Sequence, residues 1–221
     1  MQQIVEFCPQ EKLIHTGVQP EHDHHDARQT AVHIDKTMGI IEINSKNAGS
    51  DHPSDGAGYC SRQHSIVVDI KNRYQGKVDA IFHNGDSELE SSDPVWEGIH
   101  VVRGNCDYDS GYPERLVVKL GDVIIAQTHG HLYGINFTWD RLDLWAQQED
   151  ADICLYGHLH AAAAWRNGKT VFINPGSVSQ PRGPIHEKLY AKVIINSAKI
   201  RVEYYTRDHE LYSELTQEFE R

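Results

Sequence analysis

Apolar residues recur along this chain in a regular pattern that sets in near residue 65. Over residues 65–75, Ile66, Ile70 and Tyr74 fall at helical spacing and Gly76 follows as a stop signal, so a helix is predicted. The runs Val78-Asp79-Ala80-Ile81-Phe82 and Ile99-His100-Val101-Val102 are short, continuous and each followed by a glycine-containing turn, as in strands buried on both faces. Apolar segments at 116–118 and 123–126 are separated by Gly121-Asp122, a hairpin signal. A second helix is predicted over 138–148, with Leu142, Trp145 and Ala146 on one face, and strands over 153–156, 170–173, 189–195 and 200–205. Early βαβ character followed by hairpins predicts a layered α/β fold, two packed mixed β-sheets flanked by helices.

Residues 1–53 differ. They hold few aromatics and little apolar periodicity apart from Gly39-Ile40-Ile41-Glu42-Ile43, so they are expected to form a poorly ordered segment ahead of a domain over 54–221. Six of the fifteen histidines lie there. The stretch Glu21-His22-Asp23-His24-His25-Asp26 is read as a solvated loop, because ordering it costs about 1–2 kcal/mol per residue.

A net charge of -11 excludes the basic footprint that DNA or RNA requires. A small phosphorylated substrate stays compatible if bound metal supplies the positive charge. Cys8, Cys60, Cys106 and Cys154 are widely spaced with no CxxC pair, which points to reduced thiols. No apolar run approaches the roughly 18 residues of a membrane span. A soluble, cytoplasmic protein is expected, and a homo-oligomer is compatible with all of this.

Residues able to bind metal follow the predicted strands one after another, at the strand ends where open α/β sheets build their sites. After Phe82 comes His83-Asn84-Gly85-Asp86, and after Val102 comes Arg103-Gly104-Asn105-Cys106-Asp107. After Ala126 comes Gln127-Thr128-His129-Gly130-His131, and after Tyr156 comes Gly157-His158-Leu159-His160. Asp86 and Asn105 with His129, His131, His158 and His160 form an oxygen and nitrogen set without thiolate, suited to Mn, Fe, Co, Ni or Zn rather than Ca or Mg. A lone Gly-Asp is most often only a turn. Here it is the fourfold recurrence at strand ends that marks Asp86. His83 and His100 have no such support and are read as packed or surface histidines. Asp107 is read either as a turn residue or as an orienter of a ligand, and the four tryptophans as packing.

Gly85-Asp86, Gly104-Asn105-Cys106-Asp107, Thr128-His129-Gly130-His131, Gly157-His158-Leu159-His160 and Asn174-Pro175-Gly176-Ser177 stand in the order seen in the calcineurin-like metallophosphoesterases. The chain resembles most the small bacterial phosphodiesterases of the YfcE-type branch, which also includes the retromer scaffold subunit, over about residues 54–207. The resemblance implies two divalent ions, Mn first and Ni, Co, Fe or Zn as substitutes, and hydrolysis of phosphodiesters through a metal-bridging hydroxide. It implies that Asp86 bridges both ions, that Asn105, His129 and His158 complete one site, and that His160 serves the other. His131 would face substrate or support a ligand, and residues 174–177 would form a structural turn.

The family's first motif, Ser-Asp-x-His-Gly after a strand, has no intact copy. Ser45-Lys46-Asn47-Ala48-Gly49 follows a strand but puts Lys46 for the aspartate and Ala48 for the histidine; Ser54-Asp55-Gly56-Ala57-Gly58 keeps Asp55 with Ala57 for the histidine. Connection length favours Asp55. Either register leaves the first site short of a ligand and weak or empty. Cys106 stands where many members carry a proton-donating histidine, and its thiol is a poorer partner for a phosphate oxygen. A scaffold or binding module on the same fold, without catalysis, is the alternative reading.

Overall fold

The computed structural model describes residues 38–43 and 57–221, with side chains from Ser65 onward. Among these residues the strands form two mixed sheets. The six-stranded sheet contains β1 (Met38–Ile43), β2 (Ala80–His83), β3 (His100–Val101), β9 (Leu189–Ile195), β10 (Lys199–Thr206) and β11 (Gln217–Glu220), in the order β11-β10-β9-β1-β2-β3. β1 runs parallel to β2 with Ile40 beside Ala80, β2 parallel to β3, and β9 antiparallel to β1. The five-stranded sheet contains β4 (Arg115–Leu120), β5 (Val123–Thr128), β6 (Ile153–Leu155), β7 (Ala163–Asn167) and β8 (Thr170–Asn174), in the order β4-β5-β6-β8-β7. The predicted hairpin is β4–β5, and β5, β6 and β8 are parallel.

Strand periodicity builds the layers. In β5 and β6, Ile125, Ile153 and Leu155 point inward, while Ala126 and Cys154 point to the opposite face. β2 and β9 do the same, with Phe82, Ala191 and Val193 inward against the other sheet and Ile81 and Tyr190 outward. The two inner faces make one core, in which each fully buried large side chain stabilises by roughly 1.5–3 kcal/mol. Helix α1 (Ala57–Tyr74) lays Ile66, Val67 and Ile70 on the outer face of the six-stranded sheet. Helix α2 (Asp140–Gln148) covers the other sheet with Leu142, Trp145 and Ala146. The expected fold class, two packed mixed sheets between helices, is the one adopted.

Two boundaries differ from expectation. α1 begins at Ala57, eight residues before the start predicted at 65, because its first turns are helical without carrying an apolar repeat. The domain start expected at 54 omits β1, which sits inside the sheet between β9 and β2. Its β-branched run Ile40-Ile41 with Ile43 favours an extended chain. The histidine-rich stretch, Asp55 and both candidate copies of the first motif, up to Gly56, lie outside the described residues. No described helix is long and apolar enough to cross a membrane.

Candidate metal centre

The loops after β2 and β3 are locked together by Asp107. Its Oδ2 accepts hydrogen bonds from the backbone N–H of Asp86 and of Gly104, each at 2.7 Å. Its Oδ1 accepts from Glu88 N at 2.7 Å and from Ser87 Oγ at 3.2 Å. Of the two roles left open for Asp107, the orienting one holds. The cross-link works only because Gly85 and Gly104 bring their backbones together: a Cβ on Gly85, at φ 91°, would lie 2.6 Å from Gly104 N, and one on Gly104 would collide with the Asp86 carboxylate.

Asp86 is 1 % exposed and adopts φ 60°, in the left-handed region that non-glycine residues rarely enter. His158 and His160 share that region at φ 62° and 56°. Such strain persists where surrounding structure imposes it, commonly at functional sites. The surroundings here include Cys106 N donating to Asp86 Oδ1 at 2.8 Å, and Gly157 N donating to the His129 carbonyl at 3.0 Å.

Four side chains from four strand ends touch. His129 Nε2 lies 3.4 Å from Asp86 Oδ2 and 3.2 Å from Asn105 Oδ1, and His158 Nδ1 lies 2.9 Å from the same amide oxygen. The proton positions decide what this means. His129 Nδ1 sits 2.6 Å from the carbonyl of Asn84, which can only accept, so Nδ1 carries the proton. In the neutral ring Nε2 then presents a lone pair to two oxygens that are acceptors themselves. Burial first and His129 next push the His158 pKa down to about 4, so that ring is neutral at pH 7. His160 is likewise buried, with Nδ1–H donating to the Gln180 carbonyl at 2.9 Å, which puts the lone pair on Nε2. Lone pairs turned toward one another repel unless a cation lies among them, so the donor set fits a divalent ion. Among the described residues, no trio of His, Cys, Asp or Glu is gathered closely enough to hold a metal by itself. The Asn105 amide is what joins the two imidazoles into one cluster.

His131 stands at the edge, its ring 5.2 Å from that of His129 and 6.2 Å from that of His158. Its Nδ1 is buried with no hydrogen-bond partner among the described residues, and burial lowers its pKa. His83 is packed and fully buried against Trp96, and His100 stacks on Phe82, as read from sequence. Asn174 Nδ2 donates to the Gly157 carbonyl and its Oδ1 accepts from Gly176 N, so this turn braces the loop that carries His158.

Two supporting residues were missed. Asn84 fixes His129 through its carbonyl while its side chain donates to the Tyr156 carbonyl and accepts from Gln127 Nε2. The signal was available, since Asn84 and Gln127 are polar residues directly following buried strand runs. Asn136, whose Nδ2 lies 2.9 Å from His158 Nε2, follows no strand and had none. A cavity of about 540 Å³ lies elsewhere, lined by Asp69, Glu187, Lys188, Arg207 and Asp208 among others. It holds none of the strand-end residues and mixes both signs of charge, so it is not the centre described here.

Residues 54–197 match the model of the calcineurin-like phosphoesterase superfamily domain. The probable metallophosphoesterase YsnB of Bacillus subtilis is 36% identical over 136 residues, covering 62% of this chain and 80% of the relative. A crystal structure of a predicted phosphoesterase from Streptococcus pneumoniae is similar at 51% identity and a TM-score of 0.76, covering 84% of this chain and 99% of that one. YfcE, a phosphoesterase from E. coli, shares the fold at 20% identity and a TM-score of 0.51, over 80% of this chain and 97% of that chain.

Proposed function

This chain belongs to the calcineurin-like phosphoesterase superfamily, and from that premise we propose that it hydrolyses small phosphodiesters with the help of divalent ions, Mn foremost. The observation that carries the reading is the meeting of acceptors at one point: the His129 Nε2 lone pair within 3.4 Å of the Asp86 carboxylate and 3.2 Å of the Asn105 oxygen. Asp86, Asn105, His129 and His158 would hold one ion; Asp86 and His160, with Asp55 from outside the described residues, would hold a more weakly bound second. When bound, the ions supply an activated water and neutralise charge on the phosphoryl oxygens.

The remaining work falls to the chain. Asp107 fixes the Asp86 and Asn105 loops relative to each other, so the ligands need little reorganisation. Asn84 holds the His129 proton on Nδ1 and keeps Nε2 available. His131 lies beside the cluster with its pKa lowered by burial, and would hydrogen-bond the substrate or its leaving oxygen. Cys106, hydrogen-bonded through Sγ to Asn105 Nδ2 at 3.3 Å, is a weak acid for that task, which favours substrates with good leaving groups. The acidic balance of the chain suits a small substrate, met by metal charge, rather than a nucleic acid.

The test is hydrolysis of bis(p-nitrophenyl) phosphate with Mn²⁺ added in excess. Turnover that rises with Mn²⁺, stops with EDTA and is lost in Asp86→Asn supports the proposal. Metal retention without turnover would favour the scaffold reading, to which the altered first motif points.

A further inference from the structure

We propose that Tyr108, Leu132 and Phe137 form an apolar rim beside the strand-end cluster that receives an aromatic group of the substrate, an aryl ring or a nucleobase carried on its phosphate. The inference rests on the phosphoesterase reading above and goes on to the organic part of the substrate. Tyr108 and Phe137 are each 93% exposed, and Leu132 is 43% exposed. Of the five large apolar residues exposed among the described ones, these three each stand one residue from a group of the site: Tyr108 after Asp107, Leu132 after His131 and Phe137 after Asn136. The other two, Leu144 and Leu211, lie on α2 and beyond β10, which supply no residue of the site. The two loops that carry the rim meet at one imidazole, with His158 Nδ1 2.9 Å from Asn105 Oδ1 and its Nε2 2.9 Å from Asn136 Nδ2. The rim therefore borders the place where a phosphoryl group would be held.

Single exposed apolar side chains are ordinary, but three gathered at one centre form a patch, and such a patch marks a binding surface. Its size favours a small occupant. An aromatic side chain offers roughly 150–250 Å², so two rings and part of a leucine fall short of the ~800 Å² per partner of a stable protein interface. Its composition favours a planar occupant, because two of the three members are rings, whose faces take another ring at little cost in side-chain freedom. Acid strength points the same way. The thiol of Cys106 is a weak acid, and an aryl oxygen, with a pKa of about 10 as in tyrosine, leaves without the full proton transfer that an alkoxide needs.

The test is calorimetric binding to the Mn²⁺-loaded parent chain, Tyr108→Ala, Phe137→Ala and Phe137→Trp, with methylphosphonate, cyclohexylphosphonate, phenylphosphonate and the phosphonate analogue of a nucleoside 5′-monophosphate as probes. Their P–C bonds resist hydrolysis, so binding is read without turnover. The parent should bind the better aromatic probe roughly 5–150-fold more tightly than methylphosphonate, the range of one base stacked on an aromatic side chain. Which of the two aromatic probes binds better tells an aryl ester from a nucleotide. Either alanine variant should bring that ratio toward one, and Phe137→Trp should keep it. Both rings are exposed, so truncation removes no core packing, and a general loss of metal would weaken all probes alike. A parent that binds methylphosphonate or cyclohexylphosphonate as tightly as the aromatic probes, or a ratio unchanged in both alanine variants, overturns the inference while the phosphoesterase reading stands. A parent that sediments as a dimer and dissociates in Phe137→Ala gives the rim to a second copy of the chain and also overturns it. A parent that binds no phosphonate overturns the phosphoesterase reading and the inference together.

Discussion

Among the described residues, two clusters pair an aspartate with a histidine, and they differ in where the protons are. On α1 and the loop after β10, His209 Nε2 lies 3.0 Å from Asp69 Oδ2, its Nδ1 3.0 Å from Tyr190 Oη, and Tyr190 Oη 2.9 Å from Tyr74 Oη. Each proton there has an acceptor: Nε2–H donates to the carboxylate, Tyr190 O–H to Nδ1, and Tyr74 O–H to Tyr190. At the strand ends, His129 spends its proton on the Asn84 carbonyl and turns a lone pair toward Asp86 and Asn105. Proximity of Asp and His is common to both. Donor and acceptor accounting separates a network that ties elements together from one whose acceptors converge as the ligands of a cation would.

That contrast can be broken most severely at Asp86. Asp86→Asn removes the carboxylate charge while keeping an oxygen for Cys106 N, and should lower metal-dependent hydrolysis by at least ~10²–10³-fold, read as turnover of the aryl diester. Asp107 comes next. Asp107→Ala strips the acceptor from three backbone N–H groups and one hydroxyl, and should destabilise the metal-free protein by on the order of 3 kcal/mol or more in urea unfolding.

A comparable effect follows from pH. Burial lowers the His83 pKa to about 4 against an ordinary 6.5, so the folded ring stays neutral while the unfolded chain takes up a proton. Stability is therefore full above about pH 6.5 and falls as the pH drops toward 4, by about 3 kcal/mol for this group, a loss measurable in EDTA and diminished in His83→Gln. The smallest effect belongs to the other cluster. Asp69 is 59% exposed, so Asp69→Asn should change stability by only ~0.2–1 kcal/mol and leave metal retention as it was.

Much of the site was readable because its residues follow buried strands. Asp86, Asn105, His129 and His158 each come a few residues after an apolar run, and parallel strands bring such ends together. His160 follows the same apolar run as His158, and its buried ring is held by Nδ1–H donating to the Gln180 carbonyl, a contact no spacing rule contains. Asp107 resisted a single reading because a Gly-x-x-Asp turn looks the same whether its carboxylate faces solvent or, as here, four donors of two loops. β1 was legible as a strand but not as part of the sheet, since the polar composition around it outweighed a six-residue run, whereas its place is fixed by pairing with β2 and β9, far along the chain. β7 and β11 carry no period-2 pattern for a related reason: Ala163–Asn167 is two alanines and a tryptophan before two polar residues, Gln217–Glu220 has only Phe219 apolar, and both are strands because β8 and β10 offer them edges.

Counting ions tests most directly whether the strand-end cluster holds a cation. The unmodified protein is loaded with Mn²⁺, dialysed against metal-free buffer and analysed for metal per chain, beside Asp86→Asn and His129→Gln. One ion retained per unmodified chain, and none in either variant, is the predicted result. No ion in the unmodified chain, or the same retention in all three proteins, would contradict the metal-site reading and make the cluster a hydrogen-bonded network like the one around His209.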